Sequence, residues 1–415
     1  MTTENDNHEE VGRVDCQRCQ VATPRAAHFC HNCGNDVRTS DIGRRESFAV
    51  KPDEPVASFA LISTIMPQGA GTRPQTYKVA LTLALTVALV ASIFGALPIA
   101  LMVAAFAIPI VYIAYIYDVN LWEDEPVSVT LAAFLLTGVF AVLFSLFWTT
   151  VLPLQLEIGG LDGGTGPRLR DLLVLMLLVP LVSEVLKQVG PLFLASRPKF
   201  DDLMDGLTFG VISGVGFAAF ETLVTHWNLL TGGFQGTSDA GLWLSVIFAE
   251  GFVKPLVYGT ATGLACAEFS GLGRGYDGFS ARYVKAFVLA VVANALYQVG
   301  VYLLAFVGQQ PLGQILGIVW GLLILGLLVL RLRNVLHLGL MEAALERSAR
   351  EGGVGEHGEL GFCPRCEMPL MAGSRFCSAC GTSLRAAGRR SRIPDGSGGA
   401  APAAPGAQET RGELV

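Results

Sequence analysis

The stretch from Val127 to Leu152 reads VSVTLAAFLLTGVFAVLFSLFWTTVL and contains no charged side chain. A helix that crosses a bilayer needs about 20 predominantly apolar residues, so this stretch predicts a transmembrane helix. The whole chain has 415 residues, 52% hydrophobic and 15% charged, and its apolar stretches mostly lack the polar stripe of soluble helices. We therefore predict an all-α polytopic membrane protein. Its spans, about eight in number, are predicted at about 77–95, 97–117, 127–152, 170–196, 203–230, 242–267, 283–307 and 312–331.

Lysine and arginine predict the orientation of the chain. An even number of spans puts both ends on one side, and the ends with the even loops hold most of the basic residues near the membrane, while the odd loops hold only Arg168 and Arg170. Because cytoplasmic loops are enriched in Lys and Arg, we expect a multi-pass protein of the plasma membrane with both termini cytoplasmic. The net charge of −6 argues against a nucleic-acid partner.

Cysteines outside the apolar block repeat as a module. The pattern Cys-x2-Cys-x10-Cys-x2-Cys occurs twice with a constant offset of 347 positions (363 − 16 = 347). Two Cys-x-x-Cys turns supply four thiolates in tetrahedral geometry, which indicates a structural zinc ribbon with no open position for a catalytic water. A disulfide framework, the alternative, fits poorly with a reducing cytoplasm. The predicted zinc ligands are Cys16, Cys19, Cys30, Cys33, Cys363, Cys366, Cys377 and Cys380.

The composition along the chain predicts six segments. Linkers join the two zinc ribbons to the membrane core, and we expect the ribbons to dock to each other or to a cytoplasmic protein partner. The segments are a zinc ribbon at 1–34, a flexible linker at 35–72, a membrane core at 73–338, a linker at 339–360, a second zinc ribbon at 361–382 and a disordered tail at 383–415.

Away from the ends of the predicted spans, five charged residues lie inside them: Glu184, Lys187, Glu221, Glu250 and Lys254. A charge at the centre of a bilayer costs roughly 2.5 to 3.5 kcal/mol, so such residues usually face one another or a functional cavity. Glu184 and Lys187 are spaced for an intrahelical ion pair, which is either structural or part of a site in which Glu184 is a general base. For Glu250 and Lys254, four residues apart, the structural interpretation is favoured.

Asn294 and Gln298 form a polar pair four residues apart in the seventh span. Such amides can hydrogen-bond to a neighbouring helix or donate to an oxyanion. Without further context, contact between helices is the better interpretation.

Three segments between about 110 and 300 form a recognisable set: Tyr117-Asp-Val-Asn-Leu-Trp-Glu-Asp-Glu-Pro126, Ser183-Glu-Val-Leu-Lys187, and Phe200-Asp-Asp-Leu-Met-Asp-Gly206 leading to Gly216-Phe-Ala-Ala-Phe-Glu221. In these segments the chain resembles the PrsW family of intramembrane proteases, distant relatives of the CAAX prenyl proteases. The resemblance implies a helical membrane peptidase whose substrates are the transmembrane or juxtamembrane segments of other membrane proteins.

The family pattern, as the resemblance implies it, is Glu-Glu-x-x-Lys, Phe-x-x-x-Glu and a histidine in each of two later helices, the last followed four residues on by Asn or Asp. Glu184, Lys187 and Glu221 match it, whereas Ser183 replaces the first glutamate. The histidine positions align with Tyr258 and Asn294, and Gln298 takes the last place. Without these histidines a catalytic zinc in the membrane is not expected, since such an ion is usually held by two or three His or carboxylate ligands.

Three functions fit these residues. The first is a peptidase, in altered form, in which Glu184 or Glu221 activates water and Asn294 and Gln298 hold the oxyanion. The second is a non-catalytic pseudoprotease, a scaffold or sensor that binds membrane helices through the core and a cytoplasmic partner through the ribbons. A solute transporter is the weakest of the three because the two halves of the membrane block show no repeat.

Overall fold

The computed structural model describes residues 12–37, 76–119, 127–151, 169–197, 200, 202–231, 240–273, 275–307, 311–354 and 359–384. These residues are mostly helical, with a short β-hairpin in each cysteine module. The segment Tyr117–Pro126, the linker predicted over 35–72 and the tail predicted over 383–415 lie largely or wholly outside the described residues.

The described residues form eleven α-helices. Their bounds are α1 Thr76–Ile93, α2 Leu97–Val119, α3 Val127–Val151, α4 Leu169–Leu173, α5 Val179–Ala195, α6 Leu203–Thr225, α7 Trp227–Thr231, α8 Ala240–Phe248, α9 Lys254–Ser270, α10 Ala281–Leu304 and α11 Leu312–Ala349. Three π-helical turns, Val174–Leu178, Ala249–Val253 and Arg350–Val354, follow α4, α8 and α11.

The membrane fold class predicted from the sequence is confirmed. Five helical segments are long and apolar enough to cross a membrane: Ser128–Thr150, Val174–Ala195, Leu203–Thr225, Ala281–Leu304 and Leu312–Gly353. Two shorter apolar helices, Val79–Ile93 and Leu97–Tyr112, precede them. The span predicted at about 242–267 is helical as well, as α8, a π turn and α9. The number of eight crossings stays a prediction.

Two of the π turns lie immediately before or at a proline-containing first turn. Val174–Leu178 precedes α5, which has Pro180 near its start, and Ala249–Val253 precedes α9, which begins Lys254-Pro255. Proline has no N–H to donate to the carbonyl four residues earlier, so the hydrogen-bond ladder changes register at these points. The second turn contains Glu250 and so sets the direction of this carboxylate relative to α9.

The centre of the core is a close contact between α6 and α9, made by glycines. A Cβ atom added at Gly210 would lie 2.7 Å from the Cα of Gly263, and one added at Gly214 would lie 2.6 Å from the Cα of Gly259. In membranes, small residues permit backbones to approach in this way and to pack by dispersion. The contact brings the C-terminal turns of α6, which contain Glu221, beside Tyr258 on α9.

We expect Gly214→Ala to destabilise the core by about 1 to 3 kcal/mol, because its methyl group would overlap the backbone of α9. Gly326→Ala in α11 is the matched control, since nothing lies within 4 Å of a Cβ at this position. The control should be neutral or stabilising by up to about 1 kcal/mol, the helix propensity difference between Gly and Ala. Thermal unfolding in detergent measures both. Equal midpoints for the two variants would contradict the close contact.

The last helix is longer than the sequence predicted. Instead of ending near 331, α11 continues to Ala349, so the first part of the linker predicted over 339–360 is helical. The reason is that Leu336, Leu340 and Leu345 form a buried apolar face in this extension. Leu336 and Leu345 belong to the same hydrophobic cluster as Met368 of the second cysteine module.

Each cysteine module contains a two-stranded antiparallel hairpin. The strands are β1 Arg13–Asp15 and β2 Ala22–Pro24 in the first module, and β3 Gly361–Phe362 and β4 Pro369–Leu370 in the second. The modules contact each other and the end of α11, so both ends of the described chain lie beside this helix.

Candidate functional site

Glu184 and Lys187 form a fully buried ion pair on α5. Lys187 Nζ lies 2.7 Å from Glu184 Oε2, and both side chains are 0% exposed. The ammonium is not oriented for a regular hydrogen bond to this oxygen, although the two atoms are within ion-pair distance. It faces the ring of Tyr258 at 4.2 Å, which adds a cation–π contact.

The remaining hydrogen-bonding capacity of Glu184 is also used. Its Oε2 accepts from Asn294 Nδ2 at 2.8 Å and from Thr262 Oγ1 at 3.3 Å, and its Oε1 accepts from Gln188 Nε2 at 2.8 Å. Gln188 Oε1 in turn accepts from the Tyr283 hydroxyl at 2.7 Å. With three hydrogen-bond donors and one ammonium around it, the Glu184 carboxylate joins helices α5, α9 and α10 and is closed to solvent.

A second charged cluster lies where α6 approaches the π turn before α9. Lys254 Nζ lies 3.0 Å from Glu221 Oε2 and 2.9 Å from Glu250 Oε2, and the Thr222 hydroxyl donates to Glu250 Oε2 at 2.9 Å. Here the side chains are partly exposed, by 13% for Glu221, 24% for Glu250 and 10% for Lys254. Two carboxylates and one ammonium leave one negative charge, in a cluster that is partly open to the protein surface.

Tyr258 links the two clusters. Its ring faces Lys187 Nζ at 4.2 Å and Lys254 Nζ at 5.9 Å. Its hydroxyl accepts a hydrogen bond from Gln298 Nε2 at 2.9 Å and interacts with the Glu221 carboxylate. Since the hydroxyl oxygen accepts from Gln298, its own proton is directed elsewhere, which makes Tyr258 a donor beside Glu221.

The amide groups of Asn294 and Gln298 are used in one orientation. Both NH2 groups donate, to Glu184 and to Tyr258 respectively. The carbonyl oxygens, Asn294 Oδ1 and Gln298 Oε1, are buried and have no hydrogen-bond partner among the described residues. The face of α10 toward the site thus presents two acceptor oxygens one turn apart, rather than the two spare donors expected for an oxyanion hole.

All six residues proposed from the sequence meet in one network. The fully buried end of the network consists of Glu184, Lys187 and Asn294. The partly exposed end contains Glu221, and Tyr258 and Gln298 lie between the two ends. Their catalytic roles stay predictions. Glu184 and Glu221 do not share a lysine.

Sequence reasoning missed that Lys254 pairs across helices with Glu221 as well as with Glu250. The spacing of Glu250 and Lys254 indicated only the intrahelical contact. Thr222, next to Glu221 in the sequence, was also missed as a donor to Glu250.

The two groups of four cysteines are arranged as metal sites. In each group one ligand atom per residue lies within 4.8 Å of all the others. The sulfur atoms of Cys16 and Cys33 are 3.7 Å apart and those of Cys363 and Cys380 are 3.8 Å apart. Ligands about 2.3 Å from a tetrahedral zinc ion stand about 3.8 Å apart, so the spacing fits zinc.

Thiolates, which zinc requires, are favoured at one equivalent position of each module. Burial disfavours ionisation of Cys30, but the backbone N–H groups of Cys33 and Asn32 outweigh it and lower the pKa of Cys30 to about 6. A hydrogen bond from the Cys366 thiol lowers the pKa of Cys377 to about 5, although burial alone would raise it. The backbone N–H groups of Cys380 and Ala379 act in the same direction as the thiol. Deprotonated sulfur is the form that binds the metal.

The membrane core does not offer a comparable ligand set. Within the described residues, the groups of three or more His, Cys, Asp or Glu side chains close enough to share an ion are the two cysteine clusters. In the partly exposed cluster, the Lys254 ammonium occupies the position between the Glu221 and Glu250 carboxylates, and a metal ion would have to displace it. A catalytic zinc usually has three protein ligands and one open position, and within the described residues no third His, Cys, Asp or Glu joins Glu221 and Glu250, so these donors do not fit such an ion.

The fold and the site define a multi-pass helical membrane protein with buried polar groups at its centre and two cysteine-based metal modules. Residues 125–330 match the family model described as PrsW family intramembrane metalloprotease. This match confirms, over the membrane core, the family resemblance that the sequence motifs predicted. No curated protein and no solved structure matches the chain.

Proposed function

We propose that the chain is an intramembrane peptidase that cleaves the transmembrane or juxtamembrane segment of another membrane protein, with Glu221 as its general base. The observation that carries the proposal is the contrast between the two carboxylates. Glu184 is sealed and neutralised by Lys187, whereas Glu221 belongs to a partly exposed cluster with one excess negative charge. Only a carboxylate that water reaches can activate it.

The reaction is written without a metal ion. Glu221 takes a proton from a water molecule, and the water oxygen forms a bond to the carbonyl carbon of the substrate peptide. The carbonyl oxygen becomes an oxyanion, which accepts a hydrogen bond from the Tyr258 hydroxyl. When the oxyanion collapses, the C–N bond breaks and the proton held by Glu221 moves to the leaving nitrogen, so the base is restored.

Lys254 and Gln298 support this chemistry. Lys254 keeps a positive charge beside Glu221 and Glu250, so that gain of a proton by one carboxylate leaves an ion pair with the other. Gln298 donates to the Tyr258 oxygen and so directs the phenolic proton away from itself. The free carbonyl oxygens of Asn294 and Gln298 suit the backbone N–H groups of an unwound substrate segment better than they suit an oxyanion.

We expect Glu221→Gln to reduce cleavage by at least about 100-fold while the protein stays folded, because a neutral amide cannot accept the proton. The measurement is N-terminal labelling and mass spectrometry of the membrane fraction from cells that produce the wild-type chain or the variant. Fragments with new N-termini inside or beside transmembrane segments should appear with the wild type and be lost with Glu221→Gln. Glu268→Gln on α9 removes a partly buried carboxylate outside the network and is the control.

The same fragments in equal amounts from Glu221→Gln cells would overturn the assignment of the base. Tyr258→Phe keeps the ring that both lysines face and removes only the hydroxyl. It should slow cleavage without changing the amount of folded protein, which distinguishes a role in chemistry from a role in packing.

A pseudoprotease that binds membrane helices is the second candidate, and one observation favours it. Ser183, at the place of the first family glutamate, is 0% exposed and its hydroxyl donates to the carbonyl of Pro180, so it offers no substitute base. In this case Cys16→Ser or Cys363→Ser should remove function while Glu221→Gln leaves it intact. The absence of any Glu221-dependent fragment, with retained crosslinking to membrane proteins, would favour this candidate.

The finer location and partners belong to the same proposal. The distribution of Lys and Arg supports cytoplasmic ends in the plasma membrane, and the contact between the modules is consistent with both ends on one side. A cytoplasmic protein that binds the modules stays a prediction.

A further inference from the structure

The two cysteine modules are structural copies of each other to the level of single hydrogen bonds. Cys16 N donates to Val21 O at 3.0 Å, and at the equivalent positions Cys363 N donates to Met368 O at 2.9 Å. Two positive-φ positions also repeat: Gln20 and Gly34 in the first module, with φ of 54° and 71°, correspond to Glu367 and Gly381 in the second, with φ of 61° and 70°. The offset of 347 found in the cysteines therefore extends to the backbone.

The copies are joined by contacts that are equivalent in both directions. His28 N and Phe29 N donate to the carbonyl of Ser378, each at 2.9 Å. In the reverse direction Arg375 N and Phe376 N donate to the carbonyl of His31, at 2.9 and 3.0 Å. Adding 347 converts one set into the other (28 + 347 = 375 and 31 + 347 = 378), so the modules form a pseudo-twofold pair, with isologous contacts like those of a symmetric dimer.

Side chains repeat the same exchange. The ring of Phe376 packs on Gly34, where an added Cβ would lie 2.8 Å from Phe376 Cδ1. The ring of Phe29 packs on Gly381, where an added Cβ would lie 2.9 Å from Phe29 Cδ1. Each phenylalanine directly precedes a cysteine ligand and each glycine directly follows one, so the interface is built from the residues that the metal holds in place.

The pair also rests on the membrane core. The rings of His28 and His337 stack with their centroids 6.1 Å apart, which joins the first module to α11. Met368 of the second module is 1% exposed and belongs to the same apolar cluster as Leu345 of α11. Glu367 pairs with Arg282 at 3.7 Å, at the start of α10. Both modules thus reach the core, by different residues.

We infer that the two modules are one composite two-metal unit, in which the metal of each module is needed for the other module to retain its own. A module of about 25 residues is too small to fold on its core alone and depends on its metal or on a partner surface. When one metal is lost, the segment around its ligands is no longer held in place. This segment is His28–His31 in the first module and Arg375–Ser378 in the second. The four hydrogen bonds and two ring contacts that cover the other metal site then separate.

The experiment uses the full-length chain loaded with zinc in detergent, and thiol alkylation by N-ethylmaleimide as the probe. Peptide mass spectrometry follows the first module alone, through labelling of its ligands Cys16, Cys19, Cys30 and Cys33. Cys363→Ser removes a ligand only from the second module. We expect it to speed labelling of the first module by about tenfold or more, since bound thiolates are protected and released ones react.

Two glycine substitutions distinguish the interface from a general loss of structure. Gly381→Leu keeps all eight ligands and overlaps the Phe29 ring, so it should also speed labelling of the first module. Gly373→Leu is the matched control, because its φ of +64° is close to the +70° of Gly381 but nothing lies within 4 Å of its Cβ. The control should leave the first module at the wild-type rate.

The composite unit is refuted if the first module is labelled at the wild-type rate in Cys363→Ser. It is also refuted if Cys363→Ser speeds the labelling but Gly381→Leu does not, since the coupling would then bypass this interface. Equal acceleration by Gly381→Leu and Gly373→Leu would contradict it as well.

Discussion

Replacing Lys187 with methionine should destabilise the membrane core by about 3 to 5 kcal/mol, because it leaves the Glu184 carboxylate buried without its counter-charge. Both side chains are 0% exposed, so water cannot replace the ammonium. The loss of the cation–π contact with Tyr258 acts in the same direction. The thermal unfolding midpoint of the chain in detergent measures the effect, and the yield of folded protein from membranes should fall in parallel.

Two further variants test the cause. Lys285→Met removes an exposed lysine from α10 and should leave the midpoint unchanged. The double variant Glu184→Gln/Lys187→Met removes both charges, and it should recover much of the loss because a neutral amide can keep the hydrogen bonds from Asn294 and Thr262. A single variant Lys187→Met with wild-type stability would show that the pair is not essential for the core.

Removing the metal from the cysteine modules should unfold them while the membrane core stays intact. Binding of structural zinc is worth about 10 to 16 kcal/mol in small zinc modules, and this energy is their folding energy. We expect the purified chain to hold two zinc ions and a strong chelator to make eight of its nine cysteines reactive to maleimide. The ninth, Cys266, is 0% exposed within α9 and should react only when the core unfolds.

Cys266 is thus the internal control of the chelation experiment. Its reaction together with the other eight would show that the core depends on the modules for its own stability. If all nine cysteines stay unreactive to maleimide after chelation, the assignment of zinc is contradicted. A mass that corresponds to disulfide bonds would instead support the alternative disulfide framework.

The charges of the membrane site were predictable from the sequence, but most of their partners were not. Glu184 and Lys187 are three residues apart on one helix, and this spacing alone brought them to ion-pair distance. The contact between Lys254 and Glu221 joins two helices and depends on how closely α6 and α9 approach. The glycines that permit this approach, such as Gly214 and Gly259, do not indicate in the sequence which turn of each helix lies opposite the other.

The extent of water access was not predictable at all. By sequence either Glu184 or Glu221 could activate water, whereas the structure gives each carboxylate its own lysine and leaves one pair buried and the other partly exposed. Exposure depends on the packing of all surrounding helices, which no local pattern reports. The same holds for the orientation of Asn294 and Gln298, whose donors are already taken.

The end of α11 illustrates a different limit. The basic residues Arg331 and Arg333 indicated that the helix leaves the membrane there, and a linker was expected to follow. The helix continues because its apolar face packs against the second cysteine module. No local sequence pattern reports this tertiary contact. Contact between the modules and the core is therefore visible only in three dimensions.

The pairing of the two cysteine modules also sets an order of events during biosynthesis. The first module leaves the ribosome 347 residues ahead of the second, and at about 5 to 20 residues per second this is a delay of roughly 20 to 70 s. During this interval the surface around Gly34 has no counterpart. A nascent chain that stops before residue 363 can never close the pair, so closure distinguishes finished molecules from unfinished ones.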